Sequence, residues 1–381
     1  KEQPLHDAMR LFDERFQDTK DTIVVIDEIQ DSAKVYSLIR QFAREFSCDF
    51  IITGSYLGKT LSREYFQPVG DLDIMILDTL TFEEFLDAEG KRDLYNSVDL
   101  YGKSSHEAYD ELKRYYDLYC QIGGYPAVVK TYLETRDMEI CQAELDRVIH
   151  IFTEESQGYF DNVLDINLFG QLLPAVAQTM IREKKGSVDL ITELSKIVYK
   201  QESSRLSKKS INQAIAWLYR SHILDFCGKA NDCNPTDISA NSRFYFLDVG
   251  VCRSFLDMAG ADLPTLRGIV NENFVYIDLL KRVRSRKISG TAPMFGLYKE
   301  GEIDFLVNSR ENYKTYGVEV KSGKTEGKTA QLLLKDEKVE AVYFLKGDTY
   351  GGIADRKVTV PIYLVGRMQF DFVKEHTPGS S

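Results

Sequence analysis

Four consecutive aliphatic residues, Ile23-Val24-Val25-Ile26, run directly into Asp27-Glu28. A continuous apolar run of this kind suits a strand buried on both faces of a parallel sheet. In open α/β sheets ligands sit beyond the carboxyl ends of the strands, so the two acids stand where a ligand would be met. Asp27 is suited to hold a nucleotide-bound Mg²⁺, directly or through water. Glu28 is suited to polarise a water for attack on a γ-phosphate. A second apolar run, 50–52, ends in Thr53-Gly54-Ser55, and Thr53 or Ser55 would sense the γ-phosphate or orient water beside the acids. The competing reading makes Asp27-Glu28 a helix-capping pair and the small polar residues an ordinary turn.

The surrounding pattern predicts an α/β multidomain chain in four blocks. Residues 1–90 alternate helices (near 5–18 and 33–46) with strands (22–27, 49–53, near 73–77), as βαβ units around a parallel sheet do. Residues 91–165 are Tyr-rich and helical, broken at Gly123-Gly124-Tyr125-Pro126, a strong punctuation mark. Residues 166–255 read as three amphipathic helices and an apolar hairpin, the element order of a winged helix. Residues 256–381 read helix, three strands (295–298, 303–307, 316–321), helix, two strands.

The net charge of −11 argues against a protein coated in DNA. It leaves room for local basic faces, with Lys281, Arg282, Arg284, Arg286 and Lys287 as one candidate and Lys208, Lys209 and Arg220 as another. For the first cluster the competing reading is a solvated helix end. Trp217, the single tryptophan, is spaced for the core side of its helix. The six cysteines are scattered and complete no zinc spacing, and the apolar runs are too short to span a bilayer. These features point to a reduced, cytoplasmic setting with no membrane.

A second group of acids lies near the C-terminus. Asp304 stands in a strand-like run, 302–307, and the next run, 317–321, carries Glu319 and Lys321. Side chains at i and i+2 share a strand face, which puts Glu319 and Lys321 about 7 Å apart on one side. If the strands pair, Asp304 joins them. Two carboxylates around Mg²⁺ with a lysine alongside make a phosphodiester hydrolysis site: the metal lowers the pKa of bound water, and the lysine stabilises developing charge. Glu272, read as opening the preceding helix, is a further candidate ligand, or simply an acid favoured at a helix start.

Seven segments in this order carry a family likeness: 23–30 (IVVIDEIQ), 51–55 (IITGS), 80–85 (LTFEEF), 123–129 (GGYPAVV), 243–251 (RFYFLDVGV), 268–275 (GIVNENFV), and the pair GEIDFLV and GVEVKSG at 301–307 and 317–323. The chain resembles a bacterial and archaeal family of AAA+-type ATPases of unknown function that join an ATPase domain to a winged helix and a restriction-endonuclease-like domain. The resemblance implies ATP and Mg²⁺ as cofactors. It makes Asp27 and Glu28 the Walker B acids, with Ser55 at or near the sensor position. It matches Asp304, Glu319 and Lys321 to the PD-(D/E)XK pattern. It implies four domains: an ATPase core (1–90), a helical lid or linker (91–165), a winged helix (166–255) and a nuclease-like domain (256–381). DNA, a protein partner or further copies of the chain are the expected partners.

Two features depart from the family. The only approximation to a phosphate loop, Gly54-Ser55-Tyr56-Leu57-Gly58-Lys59-Thr60, has three residues between its glycines, where the loop needs four. It also follows the wrong strand, so the phosphate loop is expected upstream of Asp27. Gly70-Asp71 stands where the family carries Gly-Arg, and Arg63 is the nearby candidate to compensate. Three functions remain in play: an AAA+-type ATPase, a metal-dependent nuclease on an ATPase scaffold, and a non-catalytic DNA- or protein-binding regulator.

Overall fold

The computed structural model describes residues 4–54, 73–158, 168–182, 189–201, 207–321 and 327–372. Ser55, Arg63, Asp71 and most of the 54–60 segment lie outside the described residues. The chain divides into two compact units, Lys1–Leu77 with Ala216–Ser221, and Asp78–Ile215 with His222–Ser381.

In the smaller unit, helix α1 (Pro4–Phe12) precedes strand β1 (Ile23–Ile26). A 3-10 turn and two short helices, α2 (Ala33–Tyr36) and α3 (Ile39–Glu45), lead to β2 (Asp49–Ile52). The strands are parallel and in register from Ile23↔Asp49 to Ile26↔Ile52. Ile26 and Ile52 pack on a core of Ile29, Tyr36 and Ile39. Phe42 stacks on Phe50 at 4.8 Å. The expectation of a strand buried on both faces is corrected for the described residues: Ile23, Val25 and Ile51 are 60%, 62% and 51% exposed, because these helices pack on the side of their even-numbered neighbours. The strand expected near 73–77 is not formed either. Those residues make no ladder and leave Ile74, Met75 and Leu77 exposed.

The larger unit is built on an eight-stranded mixed sheet in the order β4-β3-β5-β6-β7-β8-β10-β9. Its strands are β3 (Leu224–Ala230), β4 (Ile238–Phe246), β5 (Met294–Tyr298), β6 (Gly301–Asn308), β7 (Thr315–Lys321), β8 (Val342–Lys346), β9 (Gly352–Ala354) and β10 (Lys357–Pro361). Among the described residues eleven helices accompany it: α4 (Phe82–Ala88), α5 (Arg92–Ser97), α6 (His106–Ile122), α7 (Pro126–Thr135), α8 (Met138–Gly158), α9 (Leu168–Arg182), α10 (Leu190–Gln201), α11 (Lys208–Arg220), α12 (Val249–Met258), α13 (Leu263–Arg284) and α14 (Lys328–Lys335); the end of α11 is counted with the smaller unit.

Two segments make contacts across the expected boundaries. The hairpin β3–β4, read as the wing of a separate winged helix, is not confined to its block. β3 also pairs in parallel with β5, from Gly228↔Met294 to Ala230↔Gly296, so the sheet runs across the boundary expected between 255 and 256. Residues 78–90, expected within the ATPase core, are counted with the larger compact unit, and hydrogen bonds fasten them there. Leu80 N–H donates to Gly124 O (2.8 Å), and Tyr119 Oη donates to Leu80 O (2.6 Å). Thr81 then caps α4 reciprocally with Glu84, a capping box.

Gly123-Gly124 breaks the helical block for a reason seen at Asp248. The buried Asp248 carboxylate accepts from Gly124 N–H (2.8 Å), Gly250 N–H (2.9 Å) and Val251 N–H (3.0 Å). It caps α12 while holding the α6–α7 turn. A Cβ on Gly123, whose φ is 73°, would lie 2.2 Å from Asp248 Oδ1, and one on Gly124 would lie 2.1 Å from Leu80 O. Neither approach tolerates a side chain. Pro126 then opens α7 at a position where no N–H is needed.

Gly124→Ala should lower the stability of the larger unit by about 2–3 kcal/mol through overpacking against backbone. Asp248→Ala should cost at least about 3 kcal/mol, because three buried N–H groups lose their acceptor. Urea titration followed by tyrosine fluorescence measures both. Unchanged midpoints would show that the junction is not a fixed part of the fold.

Candidate functional site

Two places gather acids at strand ends. In the smaller unit, parallel register sets Asp27 and Thr53 side by side, just past β1 and β2. Thr53 N–H donates to Ile26 O (2.9 Å), and Ile29 N–H donates to Thr53 O (3.0 Å). The Thr53 hydroxyl donates to Asp27 Oδ1, which also accepts from Glu28 N–H at 3.0 Å. With Oδ1 used twice, Oδ2 is the oxygen left for a cation. Glu28 has φ 51° and ψ 48°, a left-handed conformation uncommon outside glycine and often met at functional turns. Its carboxylate accepts from Gln30 Nε2. Asp27 and Glu28 are both exposed.

In the larger unit, β6 and β7 pair antiparallel from Asn308↔Thr315 to Phe305↔Val318. Past that pair a side chain replaces the ladder: Val320 N–H donates to Asp304 Oδ2 at 2.6 Å. Glu319 and Lys321, two apart on β7, share a face, and Lys321 Nζ lies 2.6 Å from Glu319 Oε1. Glu319 is 3% exposed, and its Oε2 is buried with no hydrogen-bond partner. Burial pushes the Asp304 carboxyl well above the usual carboxylate range. Glu319 and Glu272 push the same way, and Lys321 and Val320 N–H only partly offset them. Burial also raises Glu319, against the pull of Lys321. Burial disfavours the charge on Lys321, but Asp304 and Glu319 outweigh it and hold the ammonium above its ordinary value. The structure thus brings Asp304, Glu319 and Lys321 together.

Glu272 does not open its helix. Asp262 caps α13 and Pro264 sits in its first turn, which places Glu272 in the helix interior. That start signal was present in the sequence. Glu272 accepts from the Tyr245 hydroxyl and lies 3.5 Å from Arg243 Nη1. Its neighbours are fasteners. Asn271 accepts from Tyr116 Oη at 2.8 Å, and Asn273 bonds both the N–H (3.0 Å) and the carbonyl (2.8 Å) of Phe246 on β4. The segment 271–273 therefore docks α13 onto α6 and β4.

Two of the five basic residues at 281–287 are engaged internally. Buried Arg282 donates to Asp278 (2.7 Å) and to the carbonyls of Val365 (2.6 Å) and Met368 (2.7 Å). Arg284 pairs with Asp78 at 2.8 Å. On the other candidate face, Lys208 donates to Thr192 Oγ1 at 2.8 Å, while Lys209 and Arg220 are exposed. Trp217 is buried. All six cysteines are buried free thiols.

The fit to a metal differs from a dense ligand cage. Among the described residues no group of three or more His, Cys, Asp or Glu side chains is arranged to hold an ion. Asp304 and Glu319 nevertheless fit one hard cation that keeps water in its remaining positions. The unpartnered Glu319 Oε2 and the elevated pKa of both acids are what such a pair shows when its counter-charge is missing. Likewise, among the described residues no helix is long and apolar enough to cross a membrane.

A family model described as an AAA domain matches residues 1–86. The chain thus begins with an AAA-type, ATPase-like domain. Such a domain implies nucleotide binding, commonly with Mg²⁺. A second family model, described as a domain of unknown function (DUF8612), matches residues 113–262. That match holds both Gly123-Gly124 and Asp248, the two sides of the buried junction. No curated protein matches the chain.

Asp304→Asn should raise the melting temperature at about pH 8 by a few degrees. The sign follows from the raised folded-state pKa: its stabilisation is complete below the unfolded value of about 4 and is lost as pH rises through the folded value. Above that point the wild type carries a buried, repelled charge that Asn lacks, so the gain should shrink toward about pH 4. A melting temperature lowered equally at both pH values would contradict this electrostatic account.

Proposed function

We propose that the N-terminal domain binds and hydrolyses ATP with Mg²⁺, in the manner of AAA+ ATPases. The observation that carries this is the hydrogen bond between Asp27 and Thr53 across the carboxyl ends of two parallel strands in register. It places an acid and a hydroxyl where such sheets meet their ligands. Bound Mg²⁺ would neutralise charge on the phosphates. Asp27 would hold that ion, and Thr53 fixes the carboxylate in the orientation that leaves Oδ2 available. Glu28, the next residue, takes a proton from the attacking water once its carboxylate leaves Gln30. Ser55 completes the sensor position in this reading.

Glu28→Gln in the full-length protein should leave Mg·ATP binding within about threefold and lower turnover roughly 100-fold or more, the usual share of a general base. Binding by fluorescent-ATP titration and turnover by phosphate release separate the two effects. Turnover unchanged by Glu28→Gln would reject the assignment.

A second reading applies to the larger unit, favoured by the buried pair Asp304 and Glu319 with Lys321 alongside and Glu319 Oε2 unpartnered. Here the chain is a metal-dependent phosphodiesterase acting on nucleic acid, DNA first. A divalent cation at the pair would supply an activated water and charge stabilisation. Asp304 and Glu319 would hold it, and Lys321 would stabilise charge on the phosphate. Cleavage of a plasmid in Mn²⁺ or Mg²⁺ should be lost in Asp304→Ala and in Lys321→Met and should need no ATP. Cleavage that persists in both variants would reject this site.

A further inference from the structure

Arg243 stands at the centre of the acids around β6, and sequence reading did not single it out. It is buried on β4 with its guanidinium 3.9 Å from the centre of the Phe295 ring. Its Nη2 lies 2.9 Å from Glu302 Oε2, and its Nη1 lies 3.5 Å from Glu272 Oε1. Tyr245, two residues along β4, donates its hydroxyl to the same Glu272 oxygen. Glu302 precedes Asp304 by two on β6, so the two share a strand face. Glu272 also lies close enough to Asp304, Glu319 and Lys321 to act on each electrostatically. Four carboxylates, Glu272, Glu302, Asp304 and Glu319, therefore share one region with two cations, Arg243 and Lys321. Fully ionised, the group carries two uncompensated negative charges, the deficit that one divalent ion fills.

The arrangement also has room for a mistake. Arg243, Glu272, Glu302 and Tyr245 line a cavity of about 350 Å³ with Thr179 and Ile269, large enough for a hydrated cation. Without the guanidinium, Glu272 and Glu302 would offer a second acidic berth there. A buried charge stripped of its partner also seeks another.

We infer that Arg243 is a positioning residue that sorts these carboxylates: it takes Glu272 and Glu302 as its own partners and so leaves Asp304 and Glu319 as the pair for a single divalent ion. Glu272 is then an outer support and not a ligand. The inference rests on the metal-site reading of Asp304 and Glu319.

Mn²⁺ titration of the full chain, with free Mn²⁺ read by electron paramagnetic resonance, tests it without any assay of activity. The wild type should bind one Mn²⁺ that Asp304→Asn weakens at least about tenfold. Glu272→Gln, at a carboxylate held by Arg243 and Tyr245 and bonded to neither Asp304 nor Glu319, should leave that affinity within about twofold. Arg243→Lys, which keeps the charge, should keep the single ion. Arg243→Met should take up a second Mn²⁺ or bind the first about tenfold more tightly, and adding Glu272→Gln should return it to wild type. A merely structural arginine would lose affinity on substitution, and Glu272→Gln would not rescue it. A tenfold loss in Glu272→Gln alone, or a second ion in Arg243→Lys, overturns the inference while the metal site stands, and these two variants carry the test even if Arg243→Met does not fold. No Mn²⁺ bound by the wild type, or binding unaffected by Asp304→Asn, overturns the metal site itself and the inference with it.

Discussion

One buried carboxylate, that of Asp248, fixes how the larger unit is assembled. It accepts N–H groups from two distant stretches of chain, the α6–α7 turn and the first turn of α12. A buried acid without such donors would be strongly disfavoured, and even with them burial raises its pKa. The turn it grips hydrogen-bonds Leu80, which leads into the Thr81 cap of α4. Helix α12 leads into α13, whose 271–273 segment ties α6 and β4 together. The placement of Glu272 beside Arg243 and the sheet descends from that chain of contacts.

The two acidic sites differ in physical cost. Asp27 and Glu28 are exposed at strand ends, where water solvates their charges and keeping them ionised costs little. Asp304 and Glu319 sit among packed strands, repel one another and hold elevated pKa values. Such an arrangement opposes folding at neutral pH, and proteins tend to keep that kind of burden where chemistry uses it. Arg243 limits the burden by binding two further acids of the same neighbourhood.

Much of this was readable from sequence, because periodicity carries it. The runs at 23–26 and 50–52 are strands, and their parallel register follows from the intervening helices. The i, i+2 spacing of Glu319 and Lys321 put both on one face of β7, and the pairing of β6 with β7 brought in Asp304. Tertiary features escaped. Arg243 reads as an ordinary polar strand residue, since nothing local reveals that Glu272 and Glu302 converge on it from a helix and another strand. Asp248 was not singled out at all: it caps α12, and its bond to Gly124 spans 124 residues. The run at 73–77 has a strand's composition, yet forms no ladder in the structure. The apolar runs 223–227 and 244–247 predict a hairpin, and β3 and β4 form one, but its second pairing partner, β5, lies across a long connection that no local pattern encodes.

Asp27 and Thr53, in the reading proposed above, mark the nucleotide end of an ATPase-like sheet. The most direct measurement is a crystal structure of the full-length protein with Mn·ATP, using anomalous scattering to locate the ion. The account predicts the Mn²⁺ within direct or single-water reach of Asp27 Oδ2, with the γ-phosphate near Thr53. A nucleotide-bound ion distant from the ends of β1 and β2 would contradict it.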